Sequence, residues 1–343
     1  AIQAGQIVLA TGSSPIVPKP WRLLGDRILT SDTLFEQEDL PLRMAVIGLG
    51  PLGVEIAQAL ARLGIDVHAF GAGKLIAGIS DEKVAEAARD NLAKEFAIHL
   101  DARAEVAEAG SGVEVRWAGG SVIVEKVIAA VGRRPNVEGL GLETLGVPLD
   151  ENGIPEVDPM TMRIGDTPVL LAGDANGDKP LLHEAADEGH IAGLNATSKD
   201  PIHLPRRTPL SIVFSDPEIA SVGQRAKDLD SETTLVGEAS FAAQGRARIL
   251  QENRGLLRLY ATRRDGRLLG AEMAIPAAEH IGHLLALAIG QELTVHDLLR
   301  MPFYHPTLEE GLRPALRTIA RELPPCAPSD LAGCGPLEAE ALD

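Results

Sequence analysis

The feature that most constrains this chain is a glycine triplet, Gly48-Leu49-Gly50-Pro51-Leu52-Gly53, lying between the apolar run Met44-Ala45-Val46-Ile47 and a helical repeat. Val54, Ala57, Leu60 and Leu63 recur at helical spacing, Gly64 is a natural stop, and Asp66 to Phe70 reads as a second strand. Strand, turn, helix and strand in that order form a βαβ unit, the start of a parallel, doubly wound sheet. In that setting the G-x-G-x-x-G spacing predicts a dinucleotide site. Gly48 would make the tight turn, Gly50 would let the backbone approach a pyrophosphate, and Gly53 would let the helix pack closely on the strand. The positive end of the helix then points at the phosphates.

The second strand of such a unit usually ends on a carboxylate that binds the ribose 2′-hydroxyl. Here the position is Gly71, in Phe70-Gly71-Ala72-Gly73-Lys74, so both NAD and NADP stay open. Lys74 reads either as a contact for a 2′-phosphate or, more simply, as a solvated loop lysine.

Thr11-Gly12, Gly132-Arg133-Arg134-Pro135-Asn136 and Gly173-Asp174 also end apolar strands, the places where open α/β sheets bind ligands. Singly, each is no more than a strand-ending turn; together they suggest a second nucleotide site. Between them, Val113 to Trp117 and Ser121 to Val124 flank Ala118-Gly119-Gly120 as a hairpin, and Val127 to Val131 reads as another buried strand. Val169 to Ala172 is a short strand, and a helix is expected from near His183 past Gly189. Prolines and arginines cluster between Pro201 and Pro209, which suggests a linker. Beyond it, strands are expected at Ser211 to Phe214, Gly255 to Ala261 and Leu268 to Ala274, then a helix from Ala277 to Ile289 and a last helix after Pro306.

The 343 residues suffice for two or three domains. With 32 Lys plus Arg against 49 Asp plus Glu, the net charge is −17, which argues against nucleic acid as a partner. The aromatic fraction of 3% argues against base stacking as well. No run approaches the roughly 18 apolar residues of a membrane helix, so no membrane is expected and the cytoplasm is the expected location. Cys326 and Cys334 are the only cysteines, which fits a reducing compartment. They fall in a Pro/Gly-rich stretch, from Pro324 on, that reads as a flexible acidic tail. The chain opens without methionine and runs at once into Ile7-Val8-Leu9-Ala10, which reads as a piece of a longer protein.

Six pieces in order resemble the flavin-dependent pyridine nucleotide-disulfide oxidoreductases, the group of dihydrolipoamide dehydrogenase, glutathione reductase and mercuric reductase. They are Ile7 to Gly12, Gly48 to Glu55, Ala130 to Asn136, Leu171 to Asp174 with Leu181-Leu182-His183 and Glu188-Gly189, Phe214 to Gly223 with Gly245-Arg246-Ala247, and His305-Pro306-Thr307-Leu308-Glu309-Glu310. The resemblance implies an α/β chain with two Rossmann-like nucleotide-binding domains, the FAD one incomplete, followed by an α+β interface domain. Its implied limits are 1–40 for a remnant of the FAD domain, 41–136 for the NAD(P) domain, 137–205 for the second part of the FAD domain, 206–323 for the interface domain and 324–343 for the tail. It implies that Thr11, Gly12, Gly132, Arg133, Gly173, Asp174, Leu181, Leu182 and His183 serve the cofactors, with Asp174 on the ribityl chain of FAD. Glu55 would sit beside nicotinamide and flavin. A homodimer through the interface domain is implied, with a lipoyl domain or another disulfide as substrate.

His305 and Glu310 carry the implied proton chemistry. Five residues span about 140° on a continuous helix, so the two meet only if His305 precedes the helix and Glu310 lies in its first turn. Pro306 supports that boundary. A carboxylate on one imidazole nitrogen fixes the tautomer and leaves the other nitrogen as a base near neutral pH. By the resemblance this pair takes a proton from a dithiol. Thr307 to Glu310 also reads as a capping box that closes a helix N-terminus. The family's pair of cysteines four residues apart is not in this sequence, and a thiolate is the species that attacks a disulfide. Two other readings therefore stand: a nucleotide-binding, dimerising fragment without turnover, and another flavin-dependent NAD(P)H oxidoreductase of the family.

Overall fold

A computed structural model describes residues 3–324. Residues 325–343, with Cys326, Cys334 and the expected tail, lie outside the described residues. Two compact units emerge: one takes the residues up to 16 with 132–207, the other 17–131 with those from 208 on.

The second, larger unit holds a five-stranded parallel sheet in the order Ile28–Leu29, Lys126–Ala129, Arg43–Ile47, Asp66–Phe70 and Ala97–His99. Met44, Ala45 and Val46 have no exposed surface, as expected of a parallel strand covered on both faces. The Pro51–Arg62 helix packs Val54, Ile56, Ala57 and Leu60 inward; Val54, Ile56 and Leu60 each contribute about 1.5–3 kcal/mol on burial. Gly64, with φ of +89°, ends it. Leu63 departs from the expected stripe: as the C-cap residue it is 71% exposed. The expected hairpin is part of an antiparallel sheet of Glu105–Ala109, Gly112–Trp117 and Gly120–Val124.

Residues 17–40 correct the expected domain limits. Ile28 and Leu29 pair with Val127 and Ile128 as an edge of the parallel sheet, and Trp21 joins the core of Ile47, Phe70 and Val127. This segment therefore belongs with the glycine turn and not with residues 3–16. The rest of the larger unit is an antiparallel sheet in the order Leu210–Val213, Glu218–Gly223, Leu268–Ile275, Leu256–Thr262 and Thr234–Ser240. The helices Ala278–Gly290 and Leu312–Ala320 bury Ile281, Leu285, Leu316 and Ile319 in one core with that sheet.

In the smaller unit, Ile7–Leu9 and Val169–Leu171 form a parallel pair, and Ser13–Pro15 pairs antiparallel with Arg133–Pro135. The Leu182–Thr197 helix follows, with Ile191 and Ala192 packed beside Leu170 and Ala172. Among the described residues no helix is long and apolar enough to cross a membrane.

Candidate nucleotide and proton-transfer sites

In the larger unit the strands Arg43–Ile47, Asp66–Phe70 and Lys126–Ala129 end in register, with Ile47 beside Phe70 and Ala129. The glycine turn lies at that edge, and its three glycines have three different environments. Gly48 has φ of +108°, and a Cβ on it would stand 2.1 Å from the Ala130 carbonyl oxygen. A Cβ on Gly53 would stand 1.8 Å from the Gly48 oxygen, so helix and turn touch through backbone alone. Gly50 is extended, and a Cβ there would meet nothing within 4 Å. Gly50 also begins the helix without any side-chain cap, whereas Asp81 and Thr294 cap the helices that follow them. The N–H groups of that first turn thus have no capping side chain, and the space beside Gly50 is open, a setting that fits a pyrophosphate.

Glu55 is half-buried on the same helix, and its Oε1 accepts a hydrogen bond from the Phe214 N–H at 2.8 Å. One and two turns on, Gln58 and Arg62 continue this seam. Gln58 donates to the Asp216 carbonyl at 2.8 Å and accepts from the Asp216 N–H at 2.7 Å. Arg62 donates to Asp216 at 2.7 Å and to Glu95 at 2.7 and 2.9 Å, and Arg254 also pairs with Asp216. The hydrogen bond from Arg62 holds the Glu95 carboxyl below its usual range. Burial opposes ionisation of Asp216, but Arg62 and Arg254 outweigh it and its carboxyl too is held low. Sequence reasoning missed Gln58, Arg62, Asp216 and Arg254; the spacing 55, 58, 62 along one helix face was the available signal.

His305 lies before Pro306, and Glu310 lies in the 3-10 turn Glu309–Gly311 that leads into the last helix. Nδ1 of His305 stands 3.2 and 3.1 Å from the two Glu310 carboxylate oxygens. With Nδ1 donating, Nε2 is left as the basic nitrogen on an imidazole whose side chain is 75% exposed. Glu310 also accepts from the Thr307 N–H at 3.1 Å. The expected capping box is only half made, because the Thr307 hydroxyl donates instead to the Tyr304 carbonyl at 2.7 Å.

In the smaller unit Thr11-Gly12 and Gly173-Asp174 follow the two parallel strands, with Leu9 beside Leu171, and so share one carboxyl edge. Ser13 donates to Asp174 at 2.7 Å, and Arg133 donates to the Ser13 hydroxyl at 2.7 Å and its carbonyl at 2.8 Å. Asn136 reaches the Thr11 carbonyl through its side chain at 3.0 Å and the Gly12 carbonyl through its N–H at 2.9 Å. The Gly132 to Asn136 segment thereby gathers Thr11, Gly12, Arg133 and Asp174. Gly173, with φ of +71°, donates its N–H at 2.7 Å to Glu188, which is 1% exposed. Glu188 also accepts from Asn176 and from Arg206, each at 2.7 Å, and Arg206 pairs with Glu184 as well. Leu181 begins the Leu182–Thr197 helix without a side-chain cap, so the first N–H groups, those of Leu182 and His183, are unclaimed by any capping side chain. A cavity of about 540 Å³ in this unit, lined by Leu149, Ile154, Met162, Asn176 and Arg206 among others, includes none of the expected cofactor residues.

The model of the pyridine nucleotide-disulphide oxidoreductases matches residues 1–189, and the model of their dimerisation domain matches residues 210–316. The chain belongs to this family. Its fold is accordingly mixed α/β, with Rossmann-like nucleotide-binding regions and a dimerisation domain. The dihydrolipoyl dehydrogenase of Geobacillus stearothermophilus is 33% identical over 312 residues, which cover 88% of this chain and 66% of that protein. That of Thermus scotoductus is 33% identical over 329 residues, covering 93% and 71%. The chain thus spans about two thirds of the length of these curated relatives. LpdA from Mycobacterium tuberculosis has a similar structure, with a TM-score of 0.78 and 28% identity over 91% of this chain and 69% of that one. The HOCl-induced flavoprotein disulfide reductase RclA from Escherichia coli shares the fold, with a TM-score of 0.81 at 23% identity over 91% of this chain and 73% of that one.

Proposed function

We propose that this chain belongs to a dihydrolipoyl dehydrogenase-like flavoprotein oxidoreductase of the cytoplasm, active as a homodimer and moving two electrons between NAD(P)H, FAD and a disulfide or dithiol. The observation that carries the reading is the His305–Glu310 pair. A bidentate carboxylate on Nδ1 gives an exposed imidazole one fixed basic nitrogen, which suits removal of a proton from a dithiol. A second disulfide-reactive partner, such as a lipoyl group, is the substrate this base serves.

In this reading Gly50 and the first turn of the Pro51–Arg62 helix hold the nicotinamide nucleotide's pyrophosphate. Thr11, Gly12, Gly132, Arg133, Gly173, Asp174 and the Leu181 to His183 helix start hold FAD, with Ser13 and Arg133 setting the Asp174 carboxylate. The two bound cofactors would supply hydride transfer. Glu55 stays anchored to the Phe214 N–H and orients the helix beside the nicotinamide. His305 holds and releases the substrate proton at Nε2, and Glu310 stabilises the imidazolium that forms.

The thiol pair is the divide between this reading and a second one. The chain's cysteines are Cys326 and Cys334 alone, which favours, for this chain by itself, a nucleotide-binding and dimerising component without turnover. The protein from its natural source, assayed with dihydrolipoamide and NAD⁺ or NADP⁺, decides between them. Flavin-dependent reduction of the nucleotide is expected, and it should collapse in His305→Ala. A flavin-loaded protein that oxidises NAD(P)H but reduces no nucleotide when given dihydrolipoamide would overturn the proposal.

A further inference from the structure

The rim of the nucleotide turn in the larger unit carries a choice between the two nicotinamide cofactors. Gly71, at the end of the Asp66–Phe70 strand, is buried, donates to the His99 carbonyl at 2.8 Å and accepts from the Ala102 N–H at 2.9 Å. A Cβ added there would stand 3.0 Å from Leu100 Cδ2 and 3.5 Å from Leu49. The position that ordinarily presents a carboxylate to the ribose 2′-hydroxyl is therefore filled by apolar neighbours. Gly71 itself presents no carboxylate to repel a 2′-phosphate.

What borders the position instead is mostly cationic. The Asp101 N–H donates to the Gly73 carbonyl at 3.0 Å, so residues 101–103 run alongside residues 71–73. That pairing sets Lys74 and Arg103, both exposed, at the two ends of one short double segment, with Asp101 as the one carboxylate among them. Lys and Arg bind phosphate by charge-assisted hydrogen bonds, and an Arg near this strand end is the usual partner of a 2′-phosphate. On a chain of net charge −17, a local positive pair also matters because its field is felt over only about 10 Å at ordinary salt.

We propose that the glycine turn takes NADP(H) in preference to NAD(H), with Lys74 and Arg103 holding the 2′-phosphate. This rests on the proposed pyridine nucleotide reading and goes beyond it by naming the cofactor. Calorimetric titration of the folded chain with NADPH and NADH, and with 2′,5′-ADP and 5′-AMP as fragments, tests both levels. Two charge-assisted contacts should make NADPH and 2′,5′-ADP bind about tenfold tighter than their partners. The gap should close as salt rises and should vanish in Lys74→Glu/Arg103→Glu. Equal binding, or tighter binding of NADH, would overturn the preference while leaving the nucleotide reading intact, and would give the 2′-hydroxyl to Asp101. Binding of neither cofactor by a protein with a cooperative thermal transition would overturn the nucleotide reading and this proposal with it.

Discussion

The two candidate nucleotide edges are built in opposite ways. In the larger unit the glycine turn is clamped by backbone: five parallel strands, a Gly48 pressed on the Ala130 carbonyl, and a Gly53 pressed on Gly48. In the smaller unit two parallel strands carry the edge, and Ile7 and Val8 remain 45% and 42% exposed. There the geometry is held by polar side chains, chiefly Ser13, Arg133, Asn136 and Glu188. A two-stranded parallel pair has little sheet of its own to lean on, and parallel sheets are normally covered on both faces. Steric clamps need no partner beyond the chain that forms them; polar clamps fail one bond at a time.

The sharpest test of the proton chemistry lies outside both edges. In a flavin-loaded enzyme, His305→Ala should slow dithiol oxidation by about 10²–10⁴-fold while leaving flavin reduction by NAD(P)H near its original rate. Stopped-flow measurement of the two half-reactions checks this, and equal losses in both would make His305 structural.

Next comes the steric clamp. Gly53→Ala should cost about 3 kcal/mol or more of stability, because the new methyl would overlap the Gly48 oxygen. Gly50→Ala should leave the melting temperature almost unchanged and abolish nucleotide binding, since its Cβ has room until a pyrophosphate arrives. Thermal melts and calorimetry on the pair break the comparison if both variants behave alike.

The polar clamp should yield by smaller steps. Glu188→Gln keeps the shape but weakens the bonds to the Gly173 N–H, Asn176 and Arg206, for a loss of about 1–3 kcal/mol. Hydrogen exchange at the Gly173 amide should quicken with it. Unchanged exchange would show that the Gly173 turn does not depend on Glu188.

The smallest effect is expected from acid. Glu95 and Asp216 ionise below their ordinary values of 4.5 and 3.8, so their pairing with Arg62 and Arg254 contributes in full above those values. That contribution is lost as pH falls through the lowered folded values. Partly exposed pairs of this kind are worth little each, so the melting temperature should drop only slightly below about pH 4 in the wild type and less in Arg62→Met. A larger acid sensitivity in Arg62→Met would contradict the pairing.

Local periodicity made part of this molecule readable in advance. The Asp66–Phe70 strand, the Pro51–Arg62 helix and the hairpin around Gly119 follow from apolar spacing and turn residues. Ile28–Leu29, Ser13–Pro15 and Arg133–Pro135 do not, because strands of two or three residues have no period and exist only through distant partners. That is why residues 17–40 carry no local sign of their place beside the parallel sheet. The meeting of His305 with Glu310 was readable from Pro306 and the five-residue gap. Glu188 with Arg206, and Gln58 with Asp216, were not readable, since a buried ion pair or an amide pair across 158 residues leaves no local mark.

The helix from Pro51 to Arg62 serves two masters. Its first turn faces the space left open at Gly50, and its flank, from Glu55 through Gln58 to Arg62, is bonded to Phe214 and Asp216 beside the antiparallel sheet. Were a ligand to order the first turn and the seam together, reciprocity would require that whatever tightens the seam raise affinity at the turn by the same factor. Cofactor occupancy and the order of the Phe214 to Pro217 segment would then be two gauges of a single equilibrium.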